Sequence, residues 1–183
     1  MKKKPHIVLG VTGSIAAYKA AELVRRMKGL GWDVTVVMTR AATEFVGELT
    51  FRTLSRNQVG NDMFAGREEW EMEHLAFADR ADVMVIAPCT ANVIAKLAHG
   101  LADDLLSCTA LATRAPLIIA PAMNVNMWAH PATQANVRTL KQRGVLLVGP
   151  ASGDLACGVK GRGRMAEIDE ILKRISRMVK KYE

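Results

Sequence analysis

Apolar residues in this chain fall into short unbroken runs, separated by stretches in which they recur every three or four positions. His6 to Val11, Asp33 to Met38, Val83 to Ala87, Leu117 to Ala120 and Val145 to Val148 are the runs. They are aliphatic and short, without polar alternation, which predicts strands buried on both faces. After the first run, Ala20, Leu23, Val24 and Met27 keep helical spacing, and Gly29 to Gly31 end the element. Further helices are predicted around 49–54, over Leu75 to Ala78, Ile94 to His99, Asp104 to Ala112, Pro131 to Arg143 and Ala166 to Lys181. The last carries Ile168, Ile171, Leu172, Ile175 and Val179 on one face, with an acidic first turn and a basic last turn, as the helix dipole favours.

Strands alternating with helices predict an α/β fold. The expectation is a single doubly wound, Rossmann/flavodoxin-like domain with a parallel sheet, spanning 1–183. The turns at 10–15, 39–41, 88–93 and 121–127 then line its carboxyl edge, where ligands bind in such sheets. Asn57 to Asp62 reads as a loop, and Arg67 to Glu73 as a charged, exposed segment. Phe45 is expected to pack a short helix against the core. Gly149 to Met165 is the longest irregular stretch and is rich in glycine. Such a loop inside a domain suits a flap over a ligand.

Composition narrows the function. A chain of 183 residues suits one sizeable core. No apolar run approaches ~20 residues, so none spans a membrane as a helix, and no signal-peptide pattern is visible. Three widely spaced cysteines, Cys89, Cys108 and Cys157, fit neither a disulfide framework nor a metal site, and point to a reducing cytoplasm. The net charge of +7 is concentrated in the two ends, without interleaved aromatics to stack bases. A solvated charged surface is therefore expected, with no nucleic acid bound.

Several residues carry candidate chemistry. Gly10-Val11-Thr12-Gly13-Ser14-Ile15 joins a strand to a helix, and such a turn presents backbone N–H groups to a phosphate. Its spacing is neither the dinucleotide nor the Walker pattern. The second strand runs into Thr39-Arg40-Ala41 rather than into Asp or Glu. A hydroxyl and a cation suit a phosphate better than a ribose, which argues for a mononucleotide over NAD. Asn124, in Pro121-Ala122-Met123-Asn124-Val125-Asn126-Met127-Trp128, can hold a carboxylate or an amide. His74 ends a polar segment that can present its ring to a cleft. Cys157 lies in the middle of the glycine-rich stretch.

These motifs, in this order, resemble those of the homo-oligomeric flavin-containing cysteine decarboxylases over essentially the whole chain. The resemblance rests on Gly13-Ser14-Ile15 with Ala16-Ala17-Tyr18-Lys19, Met38-Thr39, His74, Thr90-Ala91-Asn92, Ala102-Asp103-Asp104-Leu105-Leu106, and Pro121-Ala122-Met123-Asn124 through Met127-Trp128. Ala156-Cys157-Gly158 through Gly163-Arg164-Met165 is similar to the branch that decarboxylates 4′-phosphopantothenoylcysteine in coenzyme A synthesis. Val93 departs from the pattern, since a threonine is common there.

The resemblance implies FMN held by Gly13, Ser14, Ile15, Thr39, Arg40, Ala41, Thr90, Ala91, Asn92, Val93 and Ala122. It implies His74 and Cys157 as catalytic residues, and Met123 with Asn124 as substrate contacts. It further implies a homotrimer, or an assembly of trimers, with each flavin near a subunit boundary. In many relatives a synthase domain follows. Here the sequence stops at Glu183, which leaves a separate phosphopantothenate–cysteine ligase as an expected partner. Two other roles stay open at this point. One is a peptidyl-cysteine or related decarboxylase that stops at the ene-thiol. The other is a non-catalytic regulatory subunit of a protein phosphatase.

Overall fold

The computed structural model describes residues 4–64, 73–156 and 158–182. Six parallel strands form the central sheet: β1 (His6–Val11), β2 (Asp33–Met38), β3 (Val59–Gly60), β4 (Val83–Cys89), β5 (Leu117–Pro121) and β6 (Leu146–Leu147). Their spatial order is β3-β2-β1-β4-β5-β6, so the order reverses between β1 and β4. Every residue of β1 and of β4 is buried, as their unbroken apolar sequences require.

Alternate positions along the strands feed two separate cores. Ile7, Leu9 and Val11 pack with α1 (Ala17–Gly29) and α9 (Ile168–Tyr182) on one face. Val8, Met84, Ile86 and Ile119 pack with α5 (Ala91–His99), α6 (Leu105–Ala112) and α8 (Pro131–Gln142) on the other. Gly10 falls on the second face, where any side chain would collide with Leu106.

The remaining helices are short: α2 (Arg40–Thr43), α3 (Glu48–Ser55), α4 (Glu73–Arg80) and α7 (Val125–Ala129). The fully buried Phe51 of α3 fills the core, whereas Phe45 is 49% exposed, contrary to expectation. A lone aromatic has no periodicity to show which way it faces.

Three local expectations are corrected. Within the expected loop 57–62, Val59–Gly60 pairs with β2 as a short edge strand. The turn at 88–93 is half helix, because the Thr90 side chain caps α5 and the helix begins at Ala91. The stretch 149–165 is not irregular: β7 (Ala151–Asp154) and β8 (Lys160–Arg164) form an antiparallel hairpin outside the main sheet. Its sequences, Ala-Ser-Gly-Asp and Lys-Gly-Arg-Gly-Arg, lack the apolar and β-branched residues by which strands are recognised.

Candidate functional site

Two cavities lie at the carboxyl edge of the sheet, beside the point where the strand order reverses. The first, of about 490 Å³, is lined by Gly13, Thr39, Arg40, Ala41, Thr90, Ala91, Asn92 and Val93, together with Lys96, Asp104 and Met127. The second, of about 440 Å³, takes Ser14, Ile15, Ala122, Met123 and Asn124, with Tyr18, Lys19, Asp154, Leu155, Arg164 and Met165. All the residues expected to hold the cofactor thus line one cavity or the other, and both substrate-contact residues line the second.

Each position has a local cause. Gly13 packs so closely on Ala41 that a side chain would collide with it. Thr39 stands at the N-cap position of α2 without a side-chain capping bond, is 9% exposed, and its Oγ1 is buried with no hydrogen-bond partner among the described residues. A buried unsatisfied hydroxyl is costly, and a ligand oxygen arriving beside it would relieve that cost. Arg40 next to it supplies positive charge, and the first turn of α5, the positive end of that helix's dipole, lines the same cavity. The donor set therefore fits a phosphomonoester.

Lys96 and Asp104 are lining residues that the sequence reading missed. The Lys96 ammonium bridges Asp103 at 2.6 Å and Asp104 at 2.7 Å. Partial burial alone would lower the Lys96 pKa, but hydrogen bonds to Asp103 and Asp104 outweigh it and raise the value. Burial likewise opposes ionisation of Asp104, but hydrogen bonds from Lys96 and Ser107 dominate and keep its pKa low. Spacing of Lys96 to Asp103 and Asp104 crosses a helix break at Gly100, so no single-helix pattern exposes the pairing.

Asn124 is the N-cap of α7, its Oδ1 accepting from the Asn126 N–H at 2.8 Å. That bond holds the side chain in place at the loop. The hairpin packs against this loop. The Met123 N–H donates to the Gly163 carbonyl at 2.9 Å, and the Arg162 guanidinium lies 5.8 Å from the ring centre of the buried Trp128.

His74 sits half-buried in the first turn of α4 and lines neither cavity. Cys157 lies outside the described residues, but Ala156, just before it, lines the second cavity. The two described cysteines are poor acids. Burial pushes the Cys89 thiol far up, and burial with the charges of Asp104 and Asp103 raises Cys108. No cluster of metal-ligating side chains occurs among the described residues.

A larger cleft, about 720 Å³, opens at the opposite edge among Lys4, His6, Lys28, Trp32, Asp33, Arg56 and Arg80. Its inner groups are already paired: Asp33 with Lys28 at 3.2 Å and with His6 at 3.0 Å. The carboxyl-edge cavities, with an orphaned hydroxyl and converging turns, are the better candidate despite their smaller volume.

A family model described as Flavoprotein matches residues 1–180. The chain belongs to that family. This flavoprotein is 46% identical over 173 residues to the coenzyme A biosynthesis bifunctional protein CoaBC of Bacillus subtilis. That match takes in 94% of the chain but 43% of the relative, so the chain spans under half of the bifunctional protein's length. It is 43% identical to a probable phosphopantothenoylcysteine decarboxylase of Streptococcus mutans, covering 96% of the chain and 98% of the relative. Among solved structures, a cysteine-to-serine mutant of PPC decarboxylase complexed with pantothenoylaminoethenethiol superposes with a TM-score of 0.87. It shares 32% identity and covers 96% of this chain and 98% of its own. The FMN-dependent cysteine decarboxylase SpaF follows at a TM-score of 0.85 and 31% identity, covering 97% and 96% of the two chains. The matches agree with the expected doubly wound α/β fold, and the family agrees with a flavin cofactor.

Proposed function

We propose that this flavoprotein binds FMN and decarboxylates 4′-phosphopantothenoylcysteine to 4′-phosphopantetheine. One observation carries the reading. A cavity with a phosphate-suited turn and the orphaned Thr39 hydroxyl adjoins a second cavity, where Asn124 is fixed as a helix cap. A cysteine carboxylate cannot simply lose CO2, because the resulting carbanion has no electron sink. Bound flavin supplies that sink by accepting a hydride from the carbon bearing sulfur and later returning it.

The chain's own residues do the rest. Asn124 and Met123 hold the substrate, the Asn124 amide on its carboxylate. His74 acts on the thiol end, as a base or by stabilising thiolate charge. A thioaldehyde β to the carboxylate takes up the electrons as CO2 leaves, giving an ene-thiol. Cys157 gives the proton that accompanies return of the hydride. The sum is one carboxylate and one proton converted to CO2 and a C–H bond, with no net redox change. That a Cys-to-Ser PPC decarboxylase was captured with pantothenoylaminoethenethiol supports this use of a cysteine.

The same reading makes residues 1–183 one decarboxylase domain, working as a homotrimer or assembly of trimers in the cytoplasm. A phosphopantothenate–cysteine ligase activity would supply its substrate. The test is the visible spectrum of the purified protein, mass spectrometry of the released cofactor, and product analysis with the phosphorylated substrate. A yellow protein releasing FMN and forming 4′-phosphopantetheine is expected. A colourless protein that cannot be reconstituted with FMN would refute the reading.

A further inference from the structure

The ladder between β1 and β4 ends at Gly10 and Ile86, although both strands continue toward the site. Beyond that point the pairing of β4 with β5 is also irregular, between Ile86 and Cys89. The pairing of β4 with β5 resumes at Cys89 and Pro121, but past Gly10 and Ile86 the described ladder no longer ties β1 to β4, and so does not itself join the turn at 13–15 to the start of α5. One side chain spans the gap. The Thr12 Oγ1 donates to the Pro88 carbonyl at 2.8 Å and accepts from the Thr90 N–H at 3.1 Å. Thr12 is fully buried and lines neither cavity, so it does not contact a ligand there.

We propose that Thr12 is a positioning residue for the flavin site, locking the turn at 90–93 to the turn at 13–15 across the strand-order reversal. Its backbone belongs to the first turn, since its carbonyl accepts from the Ser14 N–H at 2.8 Å and Gly13 follows it. Its hydroxyl belongs to the second. Thr90 is held by that hydroxyl and in turn caps the Val93 N–H at 3.4 Å. The two halves of the 490 Å³ cavity, Gly13 on one side and Thr90 to Val93 on the other, are thus tied by one oxygen. A serine could make both bonds. A valine has the same shape and can make neither, leaving a buried donor and acceptor unpaired.

The proposal rests on the reading that FMN occupies this cavity. The test compares Thr12→Val, Thr12→Ser and Thr109→Val with the parent. Thr109 is equally buried, and its hydroxyl donates to the Leu105 carbonyl within α6 and lines neither cavity. The readouts are FMN affinity of the apoprotein by fluorescence quenching, flavin midpoint potential, and apoprotein melting temperature. Thr12→Val is expected to weaken FMN binding about tenfold or more, the scale of one or two lost hydrogen bonds, and to shift the potential. Thr12→Ser should restore both, and Thr109→Val should lower the melting temperature without changing either. If Thr12→Val gives no folded apoprotein, Thr12→Ala is compared with Thr12→Ser in the same assays. FMN affinity and potential unchanged in the hydroxyl-less variants, while the parent binds FMN, would overturn the Thr12 role alone. A parent that binds no FMN would overturn it together with the functional reading.

Discussion

Met123 and Gly163 are hydrogen-bonded through their backbones at 2.9 Å, and the contact leaves no room for a side chain on Gly163. A Cβ there would run into the Met123 carbonyl oxygen, which is main chain and cannot turn aside. The hairpin thus meets the substrate loop main chain to main chain, directly beside Asn124.

Gly163→Val is predicted to lift β8 off this loop at a cost of about 1–3 kcal/mol, the usual penalty for overpacking. The sheet and the first cavity should survive, so FMN stays bound. Turnover should fall mainly through a higher KM. Thermal melting, the flavin spectrum and steady-state kinetics together check this. A variant with parental KM would mean that the contact does not shape the substrate cavity.

Cys157→Ser is predicted to bind FMN and release CO2 but to stop at the ene-thiol with the flavin reduced. A thiol, with an ordinary pKa of about 8.5, is mostly protonated near neutrality yet gives up its proton far more readily than a serine hydroxyl. Anaerobic mixing with substrate follows flavin bleaching and the mass of the product. Complete conversion to 4′-phosphopantetheine would assign the proton to another group and favour a decarboxylase that naturally stops early.

His74→Asn is predicted to keep FMN yet abolish flavin reduction by substrate. Asn124→Asp should repel the substrate carboxylate and weaken binding or turnover. Stopped-flow absorbance separates the two effects. Parental rates in both variants would remove these residues from the mechanism.

At the opposite edge, Asp33 accepts from Asn57 at 2.9 Å and pairs with Lys28 at 3.2 Å. Burial alone would raise its pKa, but hydrogen bonds from Asn57 and Lys28 prevail and bring it from 3.8 to about 2. A carboxyl depressed in this way stabilises the fold above its ordinary value and loses that contribution as pH falls towards about 2. The stability difference between the parent and Asp33→Asn should be widest near neutrality and close in acid. Urea denaturation across that range measures it. A difference independent of pH would show that the carboxylate charge is not what matters.

The main sheet was legible because β1, β4 and β5 are buried on both faces, and burial writes itself as unbroken aliphatic sequence. The turns at Gly13, Thr39 and Asn124 were legible because each sits where such a strand stops. The hairpin was not, since Lys160–Arg164 holds no apolar residue and packs on Val125 and Met123 through its glycines. Lys96 was hidden for a related reason: its partners Asp103 and Asp104 lie beyond the end of its helix, and only the fold brings them back. The roles of His74 and Cys157 came from resemblance alone.

β7 and β8 pair with each other and with none of the six central strands. An appendage joined in this way can diverge at a different pace from its support. Lineages could lengthen, shorten or rewrite the hairpin, and so alter which thiols are accepted, without reopening the folding problem solved by the sheet beneath.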